Sequence, residues 1–250
     1  MRTITLSLLL SILSVCAFGQ YVTAPSKNTD DRKNAVKFLP IDLVFNSIGF
    51  EYERKISPKN SLLLGIGIPT TKAAPGMYNL DDPDSDITDD ELSTMTLRLA
   101  YRHYSREHLQ PKGFYSSPYF KYQKVNAAAV AQATADDGSL YNENLDFNAK
   151  TYSLGLQLGY QWLIAKRVSI DWYFLGFEVG LGNVDATLTS PNGEEIDEIY
   201  NDALDAVNDL PSIWQDRVTV SKQGSNQVVV KGKSLPYPWL RSGISIGIAF

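Results

Sequence analysis

The sequence predicts an all-β protein: an eight-stranded antiparallel up-and-down transmembrane β-barrel with long external loops, one containing an amphipathic helix. Three observations lead to this prediction. Apolar residues alternate with polar or small residues in one segment after another, which is the pattern of a strand with two unlike faces. After the first residues, no run reaches the roughly 18 apolar residues of a membrane helix. Short turns and long acidic stretches separate the segments, as in barrels that cross outer membranes.

The segment around which the predicted barrel is organised is Trp239–Phe250. Apolar side chains occupy nearly every second position, whereas glycine, serine and Arg241 lie between them. This period of two predicts a strand with one apolar and one polar face. A strand of this kind that ends in Phe250 suits recognition by the barrel-assembly machinery, so we expect Phe250 to act as an assembly signal.

The first residues have the organisation of a secretory signal peptide. Arg2 supplies a positive charge, an apolar stretch follows, and Ala17–Gly19 fits a cleavage site of small residues. We therefore expect three segments, with both barrel ends in the periplasm: a signal peptide at 1–19, a periplasmic linker at 20–34 and an outer-membrane β-barrel at 35–250.

Composition limits the classes of function. Cys16 is the only cysteine and lies in the expected signal peptide, so the mature chain has no disulfide or thiol chemistry. Lipid attachment at Cys16 is disfavoured because Val15 is large for the preceding position. The balance of 23 Lys and Arg against 28 Asp and Glu argues against a nucleic-acid partner. We expect a monomer whose partners are outer-membrane lipid and lipopolysaccharide, with no cofactor.

Eight alternating segments follow one another from Ala35 to the end of the chain. The first is expected to reach Phe45 with a bulge at Pro40, where the apolar residues change from even to odd positions. A similar change predicts a second bulge near Leu175–Gly176. Polar and acidic stretches predict three long external loops, at residues 70–92, 131–148 and 183–235.

Alternation alone does not separate a membrane barrel from a soluble one, which directs its apolar face inward. Trp162, Trp172 and Tyr160 flank runs of leucine and isoleucine, as an aromatic girdle would. The segments have about the 9 to 11 residues that cross a bilayer. The polar face is rich in glycine, serine and threonine, whereas a solvated face would have more lysine and glutamate. We therefore expect the apolar face to meet lipid.

With the apolar face toward lipid, the isolated charges point into the lumen. A lumen of eight strands is just wide enough for side chains to fill it, and an unpaired charge there costs several kcal/mol. We expect a lumen charge network that plugs and stabilises the barrel, with a proton or ion path as the alternative. The network consists of Glu51, Glu53, Arg98, Arg102, Lys121, Asp171, Glu178 and Arg241. Arg241 is expected to meet Glu51, Glu53 or Glu178.

Catalysis is disfavoured by the scarcity of histidine. Barrel enzymes that modify lipids need a Ser-His-acid or Asp-His set at the external rim. His103 and His108 are the only histidines, both near the predicted periplasmic end, and no Gly-x-Ser-x-Gly motif is present. We expect no catalytic residues and no enzyme activity.

An acidic run gives one weak metal candidate. Asp82, Asp84 and Asp86 have the spacing of a calcium loop, but Ile87 replaces the expected glycine and Ser93 the final glutamate. We expect a solvated acidic loop, with weak divalent binding as the alternative.

The stretch at 183–235 is the largest predicted insertion. Apolar residues recur at helical spacing from Ile196 to Leu210, and Pro211 ends the pattern. Two valine-rich segments around Gln223–Asn226 then predict a hairpin. This insertion is expected to cap the barrel mouth, or alternatively to bind a partner.

Three stretches together resemble a family of small Gram-negative outer-membrane barrels of unknown function. They are Ala35–Lys37 leading to Ser47–Glu53, Gly113–Tyr115 with Tyr119–Tyr122, and Arg241 to the end. The resemblance implies an OmpX-like eight-stranded fold and brings no known activity. We expect an integral outer-membrane protein that is structural or adhesive through its loops. The alternatives are a lipid-modifying enzyme of the outer membrane and a soluble lipocalin-like carrier of an apolar ligand.

Overall fold

The computed structural model describes residues 32–70, 87–134, 140–190 and 196–250. The predicted signal peptide, most of the predicted linker and the acidic run with Asp82, Asp84 and Asp86 lie outside the described residues. Nine strands are present in the described part of the chain: β1 (Asn34–Leu39), β2 (Ser47–Lys55), β3 (Asn60–Pro69), β4 (Ile87–Tyr104), β5 (Gly113–Thr134), β6 (Leu140–Ile164), β7 (Val168–Thr189), β8 (Val218–Gln223) and β9 (Gln227–Ala249). The helices there are a 3₁₀ helix (Pro40–Phe45), α1 (Ile196–Asn208) and α2 (Ser212–Gln215).

The strands form one antiparallel sheet whose ends meet. From β1 to β7 each strand pairs with the next, β7 pairs with β9, and β9 pairs with β1. The all-β class is therefore confirmed, and the backbone bonding is ring-like. The strand count differs from the prediction of eight, because β8 joins the sheet as an additional strand that pairs with β9.

The chain leaves β1 earlier than the sequence predicts. Instead of continuing as a strand from Pro40 to Phe45, it forms the 3₁₀ helix. Pro40 accounts for the difference, because proline has no N–H for a strand ladder and its fixed φ suits the first turn of a helix. Asn46, in a left-handed conformation with φ of 49°, ends the helix and leads into β2.

Several strands extend into stretches predicted as loops. β5 and β6 pair without interruption from Gly113 to Thr134, so most of the loop predicted at 131–148 is strand. β7 and β9 likewise pair within the predicted insertion at 183–235. In this insertion the structure has α1 where the sequence predicts a helix and the β8–β9 hairpin where it predicts a hairpin. We call the part of the sheet that β4 to β9 form beyond β1, β2 and β3 the extension.

The ring has a polar, buried inner face and an apolar, exposed outer face. The burial of β2 alternates residue by residue, with its glutamates buried and its aromatic residues exposed. A register shift between Tyr173 and Gly176 lets β7 exchange its faces, which confirms the predicted bulge and places both Asp171 and Glu178 inside. No helix of the described residues is long and apolar enough to cross a membrane.

Candidate functional site: the charged interior of the ring

All eight residues of the predicted charge network lie on the inner face of the ring. Seven of them are buried, and Arg241 is half-buried. They form two groups at different levels of the ring. One group lies toward one end of the ring. This end contains the turns after β2, β4 and β6, and the paired residues Asn34 and Phe250. We call this end the turn end; the second group lies toward the extension.

The group at the turn end is a compact ion network of four side chains, which we call the turn-end network: Lys37, Glu53, Arg102 and Asp171. The ammonium group of Lys37 lies 2.6 Å from a Glu53 oxygen and 2.8 Å from an Asp171 oxygen. The guanidinium of Arg102 lies 3.2 Å from Glu53 and 2.8 Å from Asp171. Because the four residues come from β1, β2, β4 and β7, the network ties non-neighbouring strands together across the interior.

Neutral side chains complete the hydrogen bonding of this network. Tyr104 donates its hydroxyl to Glu53 at 2.6 Å, and Tyr115 donates to Asp171 at 2.7 Å. The amide oxygen of Gln161 accepts from Lys37 and Arg102, while its nitrogen donates to Ser169. The Arg102 guanidinium also lies 3.7 Å from the centre of the Tyr115 ring. Both carboxylates therefore have donors on each of their oxygens.

The turn-end network has no net charge, since two cations face two anions. Its four side chains are at most 1 % exposed. Removing such groups from water costs several kcal/mol per ion, which close pairing and additional hydrogen bonds must offset. This arrangement closes the interior at the turn end, and removing any one of the four charges should strongly destabilise the protein.

The second group, which we call the upper cluster, consists of Asp42, Glu51, Arg98, Lys121, Glu178 and Arg241. Arg98 pairs with Glu51, and Lys121 pairs with Glu178 at 2.5 Å. Tyr119 also donates to Glu178, at 2.9 Å. The predicted meeting of Arg241 with a glutamate is wrong for the described residues, where no ion pair of Arg241 is present. Its guanidinium instead lies 4.7 Å from the ring centre of Tyr173 and 5.4 Å from that of Tyr119.

Two adjoining cavities lie at the level of the upper cluster. The larger has a volume of about 310 Å³, and Arg98, Lys121, Arg241 and Asp42 are among its lining residues. The smaller has a volume of about 260 Å³ and is lined partly by Glu178 and Tyr237. The interior is thus filled by side chains at the turn end and hollow toward the extension.

Inward-facing glycines make room for inward-facing tyrosines. A Cβ atom at Gly159 would overlap the ring and hydroxyl of Tyr115, and one at Gly155 would overlap Tyr119. Each pair joins neighbouring strands β5 and β6, in which Tyr115 pairs with Gly159. The glycines therefore set the positions of the tyrosines that donate to the carboxylates.

Several interior residues are absent from the predicted network. Lys37 lies between the outward-facing Val36 and Phe38, so the period of two could have predicted that its side chain points inward. Tyr104 and Tyr115 also fall in phase with the buried residues of their strands, but aromatic side chains near strand ends resemble a girdle. Asp42 enters from the 3₁₀ helix and lies where a Cβ atom of Gly49 would be. No strand pattern could place it there.

Neither histidine takes part in the charged interior. His103 is exposed on β4, with its Nδ1 atom 2.7 Å from the Asn60 side-chain oxygen. His108 lies in the connection between β4 and β5, where burial first and nearby Lys112 second lower its pKa. Within the described ranges, no group of three or more His, Cys, Asp or Glu is arranged to hold a metal ion.

Comparison with known proteins gives no family for this chain. No protein-family model matches it, and a comparison with curated proteins also finds no match. The resemblance to small outer-membrane barrels therefore stays a prediction.

Proposed function

We propose that the protein is an integral outer-membrane β-barrel without enzymatic activity, with a lumen closed by charged side chains and an extension that serves structural or binding roles. The observation that carries this proposal is the inverted polarity of the ring. On β6, Leu154 is 65 % exposed while the neighbouring Ser153 is buried. An apolar outer face of this extent would be unfavourable in water but is suited to lipid.

The aromatic residues favour the same location. Tyr160 and Trp162 lie near the turn end with tilted rings whose centres are 4.8 Å apart, and Tyr122 and Tyr152 form a second tilted pair toward the extension at 5.1 Å. Tyr152 and Trp162 are about ten residues apart, which is about 33 Å along a strand. With a strand tilt of about 40° the height is about 25 Å, which equals the apolar band of transmembrane barrels.

The interior disfavours the soluble carrier. Such a barrel would direct its apolar face inward around a greasy ligand. Here the inner face has two buried carboxylates and two buried cations at the turn end alone. The lipid-modifying enzyme is also less well supported, because the described surroundings of His103 and His108 include no carboxylate bonded to either ring.

Extraction and gel mobility test the proposal. The protein should stay with the membrane in sodium carbonate, and the unheated protein should migrate differently from the heated protein on a detergent gel. Release by carbonate, or a single mobility before and after heating, would contradict it.

A pair of matched variants tests which face meets lipid. Leu154→Lys should lower the free energy of unfolding in lipid vesicles by about 2–4 kcal/mol, because the charge would enter the apolar band. Ile213→Lys is the control: Ile213 is 58 % exposed on α2, outside the ring, and its replacement should change stability by less than about 0.5 kcal/mol. Equal effects of the two variants would count against the proposed orientation.

A further inference from the structure

The seam between the first and last strands closes over only part of its height. β1 pairs with β9 from Phe38 with Ile246 to Ala35 with Ala249. Farther along, β8 covers β9 over Gln227–Gly232. Between these two stretches, no strand of the described residues pairs with β9 on the β1 side, because the chain has turned into the 3₁₀ helix.

Two prolines mark the uncovered edge. Asn34 and Phe250 exchange both of their backbone hydrogen bonds, so even-numbered residues of β9 direct their backbone groups toward this edge. Pro236 and Pro238 are even-numbered and have no N–H to leave unpaired there. The carbonyl of Pro236 accepts a hydrogen bond from the Trp214 indole at 2.8 Å. The sequence of β9 thus suits an edge without a neighbouring strand at this place.

The larger cavity lies in this gap and has walls of two kinds. Its lining includes apolar residues that also belong to the outer face: Ile41, Phe45, Phe50, Ile66, Trp239 and Leu240. The same cavity is lined on the inside by Arg98, Lys121 and Arg241. It therefore connects the apolar outer surface with the charged interior.

Arg241 is the cation in this cavity that has no carboxylate partner in the described structure. Arg98 forms an ion pair with Glu51, and Lys121 forms one with Glu178. The Arg241 guanidinium lies beside Tyr119 and Tyr173 and hydrogen-bonds to these neutral side chains, so its positive charge is not neutralised by a carboxylate at ion-pair distance in the described residues. Asp42 lines the same cavity and is the anion that would compete with a ligand.

We propose that this cavity binds a single-chain fatty acid, with its carboxylate at Arg241 and its tail leaving through the gap between the 3₁₀ helix and β9. A volume of about 310 Å³ is at the lower limit of small-molecule sites and suits one chain. The proposal rests on the proposed membrane location, because the outer end of the gap faces lipid only in that setting.

Binding can be measured with the fluorescent fatty acid cis-parinarate and the full-length protein inserted in phosphatidylcholine vesicles. The protein should add a saturable component that stearate displaces and octadecanol, which has the same tail without the charge, does not. Arg241→Leu should weaken binding by about ten- to one-hundred-fold, the loss expected for a hydrogen-bonded charge pair. Asp42→Asn should strengthen binding, because it removes the competing anion.

Lys222→Gln is the matched control. It also removes one positive charge, but Lys222 of β8 lies beside Asp197 and pairs with Val228 of β9. Val228 is eleven residues, about 36 Å along the strand, from Trp239 at the cavity, so the affinity of this variant should equal that of the wild type. Heat-modifiable mobility is checked for every variant. Absence of a saturable component in inserted, heat-modifiable protein would overturn the fatty-acid site while leaving the proposed barrel intact. Equal displacement by octadecanol, or weaker binding by Asp42→Asn, would also overturn it. A wild-type protein that does not insert would refute both proposals.

Discussion

Removing a single charge from the turn-end network should destabilise the protein more than any exposed charge can. In Asp171→Asn, Lys37 and Arg102 would keep their positive charges but would share only Glu53. In the wild type, the Oδ2 atom of Asp171 lies 2.8 Å from both cations, and its Oδ1 atom accepts a hydrogen bond from Tyr115. The amide that replaces the carboxylate has one acceptor oxygen instead of two and no negative charge, in a region almost without solvent, so one of the present donors loses its acceptor.

The magnitude follows from these distances. At an effective dielectric constant of about 20, each 2.8 Å contact is worth about 6 kcal/mol before desolvation is counted. Desolvation offsets most of this, and breaking one partner of a buried pair costs about 3–5 kcal/mol. We therefore expect Asp171→Asn to lower the free energy of unfolding by about 3–5 kcal/mol.

A second substitution shows that charge is the cause. Lys37→Met combined with Asp171→Asn leaves one cation and one anion, Arg102 and Glu53, which lie 3.2 Å apart. The double variant should recover at least about 1 kcal/mol relative to the sum of the single effects. Lys222→Gln, which breaks the exposed pair with Asp197, should cost less than about 1 kcal/mol.

The assay is urea unfolding in lipid vesicles, with the folded fraction read from the mobility of unheated samples. A free energy of unfolding of Asp171→Asn within about 0.5 kcal/mol of the wild-type value would refute the proposed role of its charge. Simple additivity of the single effects of Lys37→Met and Asp171→Asn would also refute it.

Two further predictions concern packing and pH. Gly159→Ala should destabilise the protein by about 1–3 kcal/mol, because its Cβ would displace Tyr115 from Asp171; Gly182→Ala, whose Cβ would make only ordinary contacts, should be nearly neutral in the same unfolding assay. His108 has a lowered pKa in the folded protein, so the unfolded chain takes up its proton first and stability should fall as pH decreases below about 6.5. Unfolding measured from pH 8 to pH 5 should show a weaker pH dependence in His108→Gln. An NMR titration that placed the His108 pKa at or above its ordinary value would contradict this prediction.

The strands and their faces could be predicted because the period of two is a local property. Leu154 and Ser153 report opposite faces of β6 from the sequence alone, and the parity change in β7 reports its bulge. Except for the β8–β9 hairpin, the sequence predicts loops in the extension, because the polar and acidic segments there lack this alternation. Their pairing depends on neighbouring strands, which propensity does not reveal.

The contacts of the interior could not be predicted in the same way. Lys37 on β1 reaches Asp171 on β7, a partner 134 positions away in the chain. Which cation meets which carboxylate depends on the stagger of the strands around the ring and on side-chain length. The gap beside β9 likewise depends on how far β1 continues. Pro40 is a local signal that β1 ends. From the sequence it predicts a bulge, whereas the structure has a 3₁₀ helix there.

The length of β6 has a consequence for how the extension is presented. The strand has 25 residues, about 80 Å at 3.3 Å per residue, and the proposed bilayer crossing uses about 9 to 11 of them. The remainder makes the sheet a stiff spacer, with α1 attached to it through the ion pair between Asp197 and Lys222. The height of the extension is adjustable in steps. Deleting two residues from each strand would lower it by about 5 Å at a strand tilt of about 40° and keep every side chain on its face, whereas deleting one would invert the faces.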